Sequence, residues 1–264
     1  MNAIVVTKDI VFTASNDTTI QMWKNNKEKS SSFGQIHHHT DYIKAMKFSS
    51  HKKWLITAGY DNQISIWDVN HMHIVQEQSS SRVFYNKTSA TSWRHPIYKY
   101  PEIKEEYPCG ILLEENIPNV PHSIYCLDVC DTSKMSTLIA TGSIDAIVRI
   151  YDPRQRLIPI SELEGHCDII KSILWTSEGH RLVSGGSDGE LRIWDTRTNR
   201  AIQVLTPHDD SIWTMSLEEK SNNVISGGRD KQVMTTNMET GKSQLLFTYV
   251  LSCILRWQKV LYKL

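Results

Sequence analysis

Hydrophobic and polar positions alternate with a period of two residues in short segments along most of the chain. Near the start, Ala3 to Val6, Ile10 to Ala14 and Thr19 to Trp23 alternate in this way around a turn at Asn16-Asp17. The period is typical of strands that bury one face, and the turns between the segments favour antiparallel pairing. Similar segments continue to Phe247, so the pattern predicts an all-β protein.

The segment GHCDIIKSILWTSEGHRLVSGGSDGELRIWD, residues 165–195, shows that these strands belong to a repeat. It has a histidine, a hydroxyl, a turn aspartate and a Trp-Asp end at fixed spacing. The 22 residues between histidine and aspartate recur from His39 to Asp61, His166 to Asp188 and His208 to Asp230. The same spacing exists around five turn aspartates, which are Asp17, Asp61, Asp145, Asp188 and Asp230. Four residues before them are the hydroxyl residues Thr13, Thr57, Thr141, Ser184 and Ser226. Six residues after them are Trp23, Trp67, Tyr151, Trp194 and Thr236. Chance does not supply such a series.

These marks resemble the WD repeat, in which each repeat is one four-stranded blade of a β-propeller. The resemblance implies an all-β WD-repeat β-propeller with about five recognisable blades over residues 1–247, a loop insertion at 77–121 and a divergent apolar tail at 248–264. It also implies a buried hydrogen-bonded tetrad in each complete blade, structural rather than catalytic because it recurs and a nucleophile would not. The tetrad residues are His39, Thr57, Asp61 and Trp67; His166, Ser184, Asp188 and Trp194; and His208, Ser226 and Asp230.

Several segments depart from the complete repeat. The first blade and the blade at 122–160 lack the histidine, and Tyr151 and Thr236 stand where a tryptophan is expected. The blade that begins at His38 is complete, with a last strand near His73 to Gln76. Five of the eight prolines fall in 77–121, which favours a long loop over a decayed blade. We expect an arc that lacks blades at both ends, as a truncated product or a partly open ring, with marginal stability.

Composition adds few restrictions. The chain has 29 basic and 29 acidic residues, and this balance does not favour nucleic acid or a membrane as a partner. Five cysteines without C-x-x-C spacing indicate reduced thiols in an intracellular protein, and the start of the sequence lacks the features of a signal peptide. The run His37 to His39 resembles a metal site, but His39 belongs to a tetrad. We therefore predict no metal, no cofactor and no small-molecule ligand.

Two columns of positions lie outside the tetrads and point to the upper face near the central channel. The first holds Lys44, Tyr125, Lys171 and Trp213, and the second holds Asn16, Tyr60, Ile144, Ser187 and Arg229. An exposed tryptophan between basic residues is typical of a protein-binding hot spot. The alternative is that Trp213 packs inside its strand, although Ile212 and Met215 can already fill the core there. The predicted partner-binding residues are Lys171, Trp213, Arg229, Lys44, Tyr125 and Tyr60.

Several stretches resemble one family within the WD-repeat proteins, the activator subunits of ubiquitin-specific proteases. They are HTDYIKAMKF, AGYDNQISIWDVN, the blade from His122 through YDPR, GHCDIIKSILW, SGGSDGELRIWD, the entry HDDSIW at His208, and SGGRDKQV with Thr236 after it. This resemblance implies a non-enzymatic cofactor that binds and activates a ubiquitin-specific protease through Lys171, Trp213 and Arg229. It also implies ubiquitinated substrates as further partners, and a location in the nucleus and cytoplasm. The family's propeller has eight blades, so this chain would lack several of them.

Two other functions stay open. Trp194-Asp195-Thr196-Arg197 and Tyr151-Asp152-Pro153-Arg154 resemble the motif by which propellers dock onto cullin-RING ubiquitin ligases as substrate receptors. A generic protein-assembly scaffold, for example in RNA processing, is the second alternative. An enzyme is not expected, because the sequence has no phosphate-binding loop, metal cluster or unassigned nucleophile.

Overall fold

A computed structural model describes residues 1–24, 32–69, 72–78, 81–86, 123–131, 137–154, 159–218 and 221–248. Within these ranges the chain forms 21 β-strands in five sheets. No helix in the described ranges has the length and hydrophobicity needed to cross a membrane. The predicted all-β class is therefore the observed one.

Five groups of consecutive strands form the blades. Blade 1 has β1 (Ala3–Val6), β2 (Ile10–Ala14), β3 (Thr19–Lys24) and β4 (Ser32–His37); blade 2 has β5 (Ile43–Ser49), β6 (Trp54–Gly59) and β7 (Ile64–Asp68). Two further strands follow, β8 (Met72–Gln78) and β9 (Ser81–Asn86). Blade 3 has β10 (Ile124–Cys130), β11 (Leu138–Ser143), β12 (Val148–Tyr151) and β13 (Pro159–Leu163). Blade 4 has β14 (Ile170–Trp175), β15 (Arg181–Gly186), β16 (Leu191–Asp195) and β17 (Arg200–Leu205); blade 5 has β18 (Ile212–Glu218), β19 (Asn223–Gly228), β20 (Gln232–Asn237) and β21 (Ser243–Thr248).

Within each blade, every strand pairs antiparallel with the next strand along the chain. The first strands of successive blades, β1, β5, β10, β14 and β18, contact one another in chain order. Each blade thus lies beside the one that precedes it in sequence, as in a propeller. The first strands are the inner strands, and the upper face lies at the ends where the turn aspartates occur.

The turn between the second and third strands has the same backbone conformation in every blade. The residue after the turn aspartate has a positive φ in all five: Thr18 (67°), Asn62 (62°), Ala146 (64°), Gly189 (75°) and Lys231 (67°). In each case the aspartate side chain accepts a hydrogen bond from the backbone N–H two positions ahead. This local bond compensates for the strain of a positive φ at the residue that follows the aspartate. The aspartate is therefore present in all five turns, whereas the following residue is glycine only in blade 4.

The hydrophobic core consists of four clusters, and each cluster joins two neighbouring blades. Two glycines in second strands allow close approach of the next blade. A Cβ on Gly142 would lie 2.5 Å from Cγ2 of Ile170, and one on Gly185 would lie 2.9 Å from Cγ2 of Ile212. We call these contacts the glycine sockets. Each socket buries the isoleucine that begins the next inner strand.

Blade 2 differs from the prediction in its outer strand. The predicted strand near His73 to Gln76 exists as β8, but it pairs with β9 and not with β7. The β8–β9 hairpin joins blade 1 instead, through a parallel bridge between Gln35 and Val83. Alternation predicts a strand but not its partner, which explains the error.

Two parts of the predicted domain division fall mostly outside the described ranges. Ser81–Asn86 shows that the proposed loop insertion at 77–121 contains a strand, while residues 87–121 are not described. Of the tail at 248–264, only residue 248 is described. The division of the chain at residue 247 stays a prediction.

Candidate functional site

The tetrad of blade 4 connects two strands of the blade, β15 and β16, and the turn between them to the loop that enters the blade. His166 bonds Asp188 through Nδ1 at 2.8 Å and Ser184 through Nε2 at 2.7 Å. Trp194 donates its indole N–H to the same Ser184 hydroxyl at 2.7 Å. Asp188 also accepts the backbone N–H of Cys167 at 3.0 Å. All its polar atoms therefore serve the fold.

Blades 2 and 5 have the same arrangement with small differences. In blade 2, Nδ1 of His39 lies 2.6 Å from Asp61 and Nε2 lies 2.8 Å from Thr57, which also accepts the Trp67 indole N–H at 3.2 Å. In blade 5, His208 lies 2.8 Å from Asp230 and 2.9 Å from Ser226. Because Thr236 replaces the tryptophan, its hydroxyl bonds Ser243 instead, at 2.9 Å. The structure brings together every residue of the three predicted tetrads.

The two blades without a histidine hold their aspartates differently. In blade 1, Trp23 donates to Thr13 at 3.0 Å, while Asp17 accepts from the hydroxyl and the N–H of Thr19. In blade 3, Arg149 on β12 takes the place of the histidine. Arg149 forms ion pairs with Asp145 at 2.6 Å and with Glu162 at 2.9 Å. A further bond from Arg149 reaches the hydroxyl of Ser143 at 3.0 Å.

Sequence reasoning missed Arg149. The signal was a basic residue four positions after a turn aspartate, but Arg192 occupies the same position in blade 4 and bonds Glu190 there. The residue type at this position therefore does not distinguish a core partner from a surface ion pair. Only the absence of the histidine in blade 3 could have pointed to a substitute.

Three of the turn aspartates, Asp61, Asp145 and Asp188, have a lowered pKa despite their burial. Burial alone would raise the pKa of Asp61 and Asp188, but hydrogen bonds from the tetrad histidine and backbone N–H groups hold the pKa of both below the ordinary value. Burial likewise opposes the charge of Asp145, and the bonds from Arg149 and Ser143 still lower its pKa. These are the properties of a satisfied buried charge.

No separate metal site is found in the part of the chain that the structure describes. The one group of potential ligands close enough to share an ion is His166, Asp188 and Glu190. His166 and Asp188 already bond each other in the tetrad, and Glu190 pairs with Arg192. This group belongs to the blade framework.

The upper face carries a continuous group of side chains, which we call the tyrosine–lysine row: Tyr42, Lys44, Tyr60, Tyr125 and Lys171. The ring centroids of Tyr60 and Tyr125 are 5.7 Å apart, and those of Tyr42 and Tyr60 are 6.1 Å apart. The ammonium of Lys44 lies 4.8 Å from the Tyr60 ring centroid, and that of Lys171 lies 4.0 Å from the Tyr125 centroid. The row crosses blades 2, 3 and 4 and includes four of the predicted partner-binding residues.

The two central tyrosines affect each other's ionisation. Burial and the neighbouring Tyr125 raise the pKa of Tyr60. Tyr60 and Lys171 lower the pKa of Tyr125.

The other two predicted partner-binding residues lie on blade 5. Trp213 is 38% exposed, which disfavours the alternative that it packs inside its strand. The guanidinium of Arg229 is 66% exposed and lies 3.7 Å from Asp210. Both side chains can meet a partner without unfolding the blade.

The two aromatic-Asp-x-Arg motifs on the opposite side differ in how their arginines are held. Arg154 is held by Asp152 at 2.8 Å, and the backbone N–H of Arg197 bonds Asp195 at 2.9 Å. The structure adds no feature that favours a ligase receptor.

Successive antiparallel blades with repeated tetrads define a β-propeller made of internal repeats. The model of the WD domain, G-beta repeat, matches residues 30–68, 118–152, 157–195 and 199–234, more than half of the chain. The chain belongs to this WD-repeat family, as predicted. A solved structure, that of the WD40 beta propeller domain of Doa1, covers 93% of this chain and 66% of its own with a TM-score of 0.62. At 14% identity it shows the fold alone.

Three curated relatives share 25 to 28% sequence identity with this chain. The ribosome biogenesis protein WDR12 homolog of Trichoplax adhaerens is 28% identical over 77% of this chain and 38% of its own length. The homolog of that name from Oryza sativa subsp. japonica is 25% identical over 84% of this chain and 59% of its own. An uncharacterized WD repeat-containing protein of Schizosaccharomyces pombe is 25% identical over 87% and 62%. The chain thus spans less than two thirds of each of these relatives.

These names correct the resemblance to protease activators. The relatives with an assigned function are ribosome biogenesis proteins, so the assignment to the activator family is wrong, as are the predicted function and the ubiquitin-specific protease as partner. The protease-binding roles of Lys171, Trp213 and Arg229 were inferred from that assignment, so they lose their basis. Their place in the upper-face columns stands, because it follows from the repeat register.

Proposed function

We propose that this chain is a non-enzymatic scaffold of ribosome biogenesis that binds another assembly protein through its upper face. The names of the relatives support the process, and the family supports the scaffold role. The observation that carries the binding site is the exposed Trp213, at the position of blade 5 that corresponds to Lys44, Tyr125 and Lys171 and that the tetrads do not need. A location inside the cell, in the nucleus, follows from this proposal.

The chemistry of the blades supports a binding role over catalysis. In blades 2, 4 and 5 the hydroxyl, histidine and aspartate of the tetrad bond one another, so these three sets have a role in the fold and need no catalytic explanation. Trp213 and Arg229, by contrast, offer a large apolar side chain and an accessible guanidinium. These are the residue types that dominate the binding energy of protein interfaces.

The proposal predicts that the chain copurifies with precursors of the ribosome. The measurement is affinity purification of the tagged chain from its own cells, with precursor ribosomal RNA detected by hybridisation and proteins by mass spectrometry. The double variant Trp213→Ala/Arg229→Glu should lose these partners. The matched control is Ile202→Ala, at an exposed apolar side chain on the outer strand β17.

Two outcomes would overturn the proposal. The first is the absence of precursor ribosomal RNA from the purified parent chain. The second is equal loss of partners in the control variant, since that would show no special role for the upper face.

A further inference from the structure

We propose that the tyrosine–lysine row binds an extended acidic segment of a protein partner. This names the chemistry of the partner and rests on the proposed function only in treating the upper face as a docking face. The row is built from side chains of three blades, so its geometry depends on their packing and not on one flexible loop.

The two lysines supply the positive charge of the row. Lys44 and Lys171 are half-buried, and neither forms an ion pair with a carboxylate in the described ranges. Each ammonium lies over a tyrosine ring, which uses one side of the cation and leaves N–H donors for a ligand. A carboxylate is the protein group that best accepts from such donors.

The tyrosines hold the lysines in place before a ligand arrives. The rings of Tyr60 and Tyr125 lie against each other with centroids 5.7 Å apart, and the backbone N–H of Tyr60 bonds the carbonyl of Tyr42 at 2.9 Å. Ordering a free lysine on binding costs conformational entropy, and this arrangement has already met part of that cost. Tyr42, 44% exposed, adds an apolar surface beside the charges.

Fixed negative charges nearby indicate a peptide rather than a nucleic acid. Asp41, Asp168 and Asp210 stand two residues after the tetrad histidine in three blades, and each accepts the next backbone N–H at 2.6 to 2.7 Å. A phosphate backbone that crosses this face would meet all three carboxylates, which repel it. A peptide can direct single carboxylates at the two lysines and place neutral or basic residues beside the aspartates.

The row also limits the spacing of the acidic residues. Lys44 lies over Tyr60 and Lys171 over Tyr125, and the centroids of these two rings are 5.7 Å apart. Since an extended peptide rises about 3.3 Å per residue, two acidic residues about two to four positions apart can reach both ammonium groups.

The test is fluorescence anisotropy of the full chain with fluorescein-labelled glycine-serine peptides that carry a leucine between two glutamates. The peptides place the glutamates two, three or four positions apart, and matched peptides have glutamine instead. Labelled single-stranded oligouridine serves as the RNA probe. We expect a glutamate peptide to bind with an affinity that falls with salt, and the glutamine peptides and oligouridine to bind about tenfold more weakly.

A matched pair of variants assigns the binding to the row. Lys44→Gln/Lys171→Gln should lower the affinity about tenfold or more. Lys52→Gln/Lys242→Gln removes the same charge at exposed positions outside the row and should retain it. Circular dichroism and thermal unfolding check that both variants fold, and Lys171→Gln alone, which should lower the affinity less, replaces the first if it does not.

The inference is overturned if no glutamate peptide binds, if both double variants lose affinity equally, or if oligouridine binds more tightly than the peptides. Its failure is distinguishable from failure of the proposed function. Peptide binding without copurified ribosome precursors overturns the function alone, whereas precursors without peptide binding overturn this inference alone.

Discussion

Blades 3 and 4 hold the same turn aspartate with different side chains. In blade 4, His166 comes from the loop that enters the blade and bonds both Asp188 and the hydroxyl below it. In blade 3, Arg149 comes from the third strand of the same blade and bonds Asp145 from the side. A blade thus needs a donor for this carboxylate, and histidine is only one of the side chains that can supply it.

The two arrangements differ in how the loop that enters the blade is held. The backbone of blade 4's loop bonds the aspartate directly, through the N–H of Cys167. The entry to blade 3 is tied instead by Ser123, whose carbonyl accepts the N–H of Ile144 and whose hydroxyl donates to the carbonyl of Tyr60 in blade 2. Blade 3 therefore depends on its neighbour where blade 4 depends on its own tetrad.

The largest expected effect is that of Arg149→Met. This change leaves Asp145 and Ser143 buried without their cation, and removing one partner of a buried pair costs about 3–5 kcal/mol. The measurement is the free energy of unfolding in urea. The same change at Arg192, which pairs with Glu190 outside the tetrad, should cost about 1 kcal/mol or less. Equal losses would show that Arg149 does not substitute for the histidine.

His166→Leu should cost less, about 1–3 kcal/mol. The variant leaves Asp188 and Ser184 without one partner each, but Asp188 keeps its bonds from the N–H groups of Cys167 and Glu190. Urea unfolding under the same conditions gives the comparison with Arg149→Met. A loss larger than that of the arginine variant would reverse the order of the two blades.

Acid should weaken both blades. Asp145 and Asp188 have a pKa below the ordinary value of about 4, so their contribution is present above pH 4 and is lost as the pH falls through the lower folded-state value. We expect the free energy of unfolding to decrease below pH 4 in the parent chain. Asp188→Asn should make this decrease smaller, and an unchanged slope would exclude Asp188 as a source of it.

The smallest expected effect concerns the turn itself. Ala146 in blade 3 and Gly189 in blade 4 share a positive φ, which favours glycine. Ala146→Gly should therefore raise the free energy of unfolding by about 0.5–1 kcal/mol. The reverse change, Gly189→Ala, should lower it by more, because its Cβ would lie 2.8 Å from the carbonyl oxygen of His208. A loss of stability in Ala146→Gly would contradict the strain argument.

The sequence predicts the blades well because their framework is repeated. The spacing of His166, Ser184 and Asp188 follows from the geometry of one antiparallel unit, and that unit recurs. Arg149 was missed because it occurs once and acts only where the histidine is absent. The pairing of β8 was missed because alternation carries no information on which edge a strand joins.

Function was harder to predict for a related reason. Most of the residues that resembled protease activators, such as those in SGGSDGELRIWD, build the tetrads and strands that any WD-repeat protein needs. The residues that carry functional information are the few on the upper face. Their chemistry indicates which type of contact they make but not the pathway in which the protein acts. The repeat register places Tyr60, Tyr125 and Lys171 on one face. It does not predict that the two rings lie against each other or that Lys171 lies over the Tyr125 ring.

The glycine sockets make each blade a link in a chain of nearest neighbours. Gly142 and Gly185 receive the first isoleucine of the following blade, whereas a Cβ on Gly227 would meet only Thr214 of its own blade within 4 Å. A side chain at Gly185 would thus push blades 4 and 5 apart and leave the contacts between the other blades unchanged. Blade 5 would then melt apart from blades 1 to 4, so the protein would unfold in two steps in place of one.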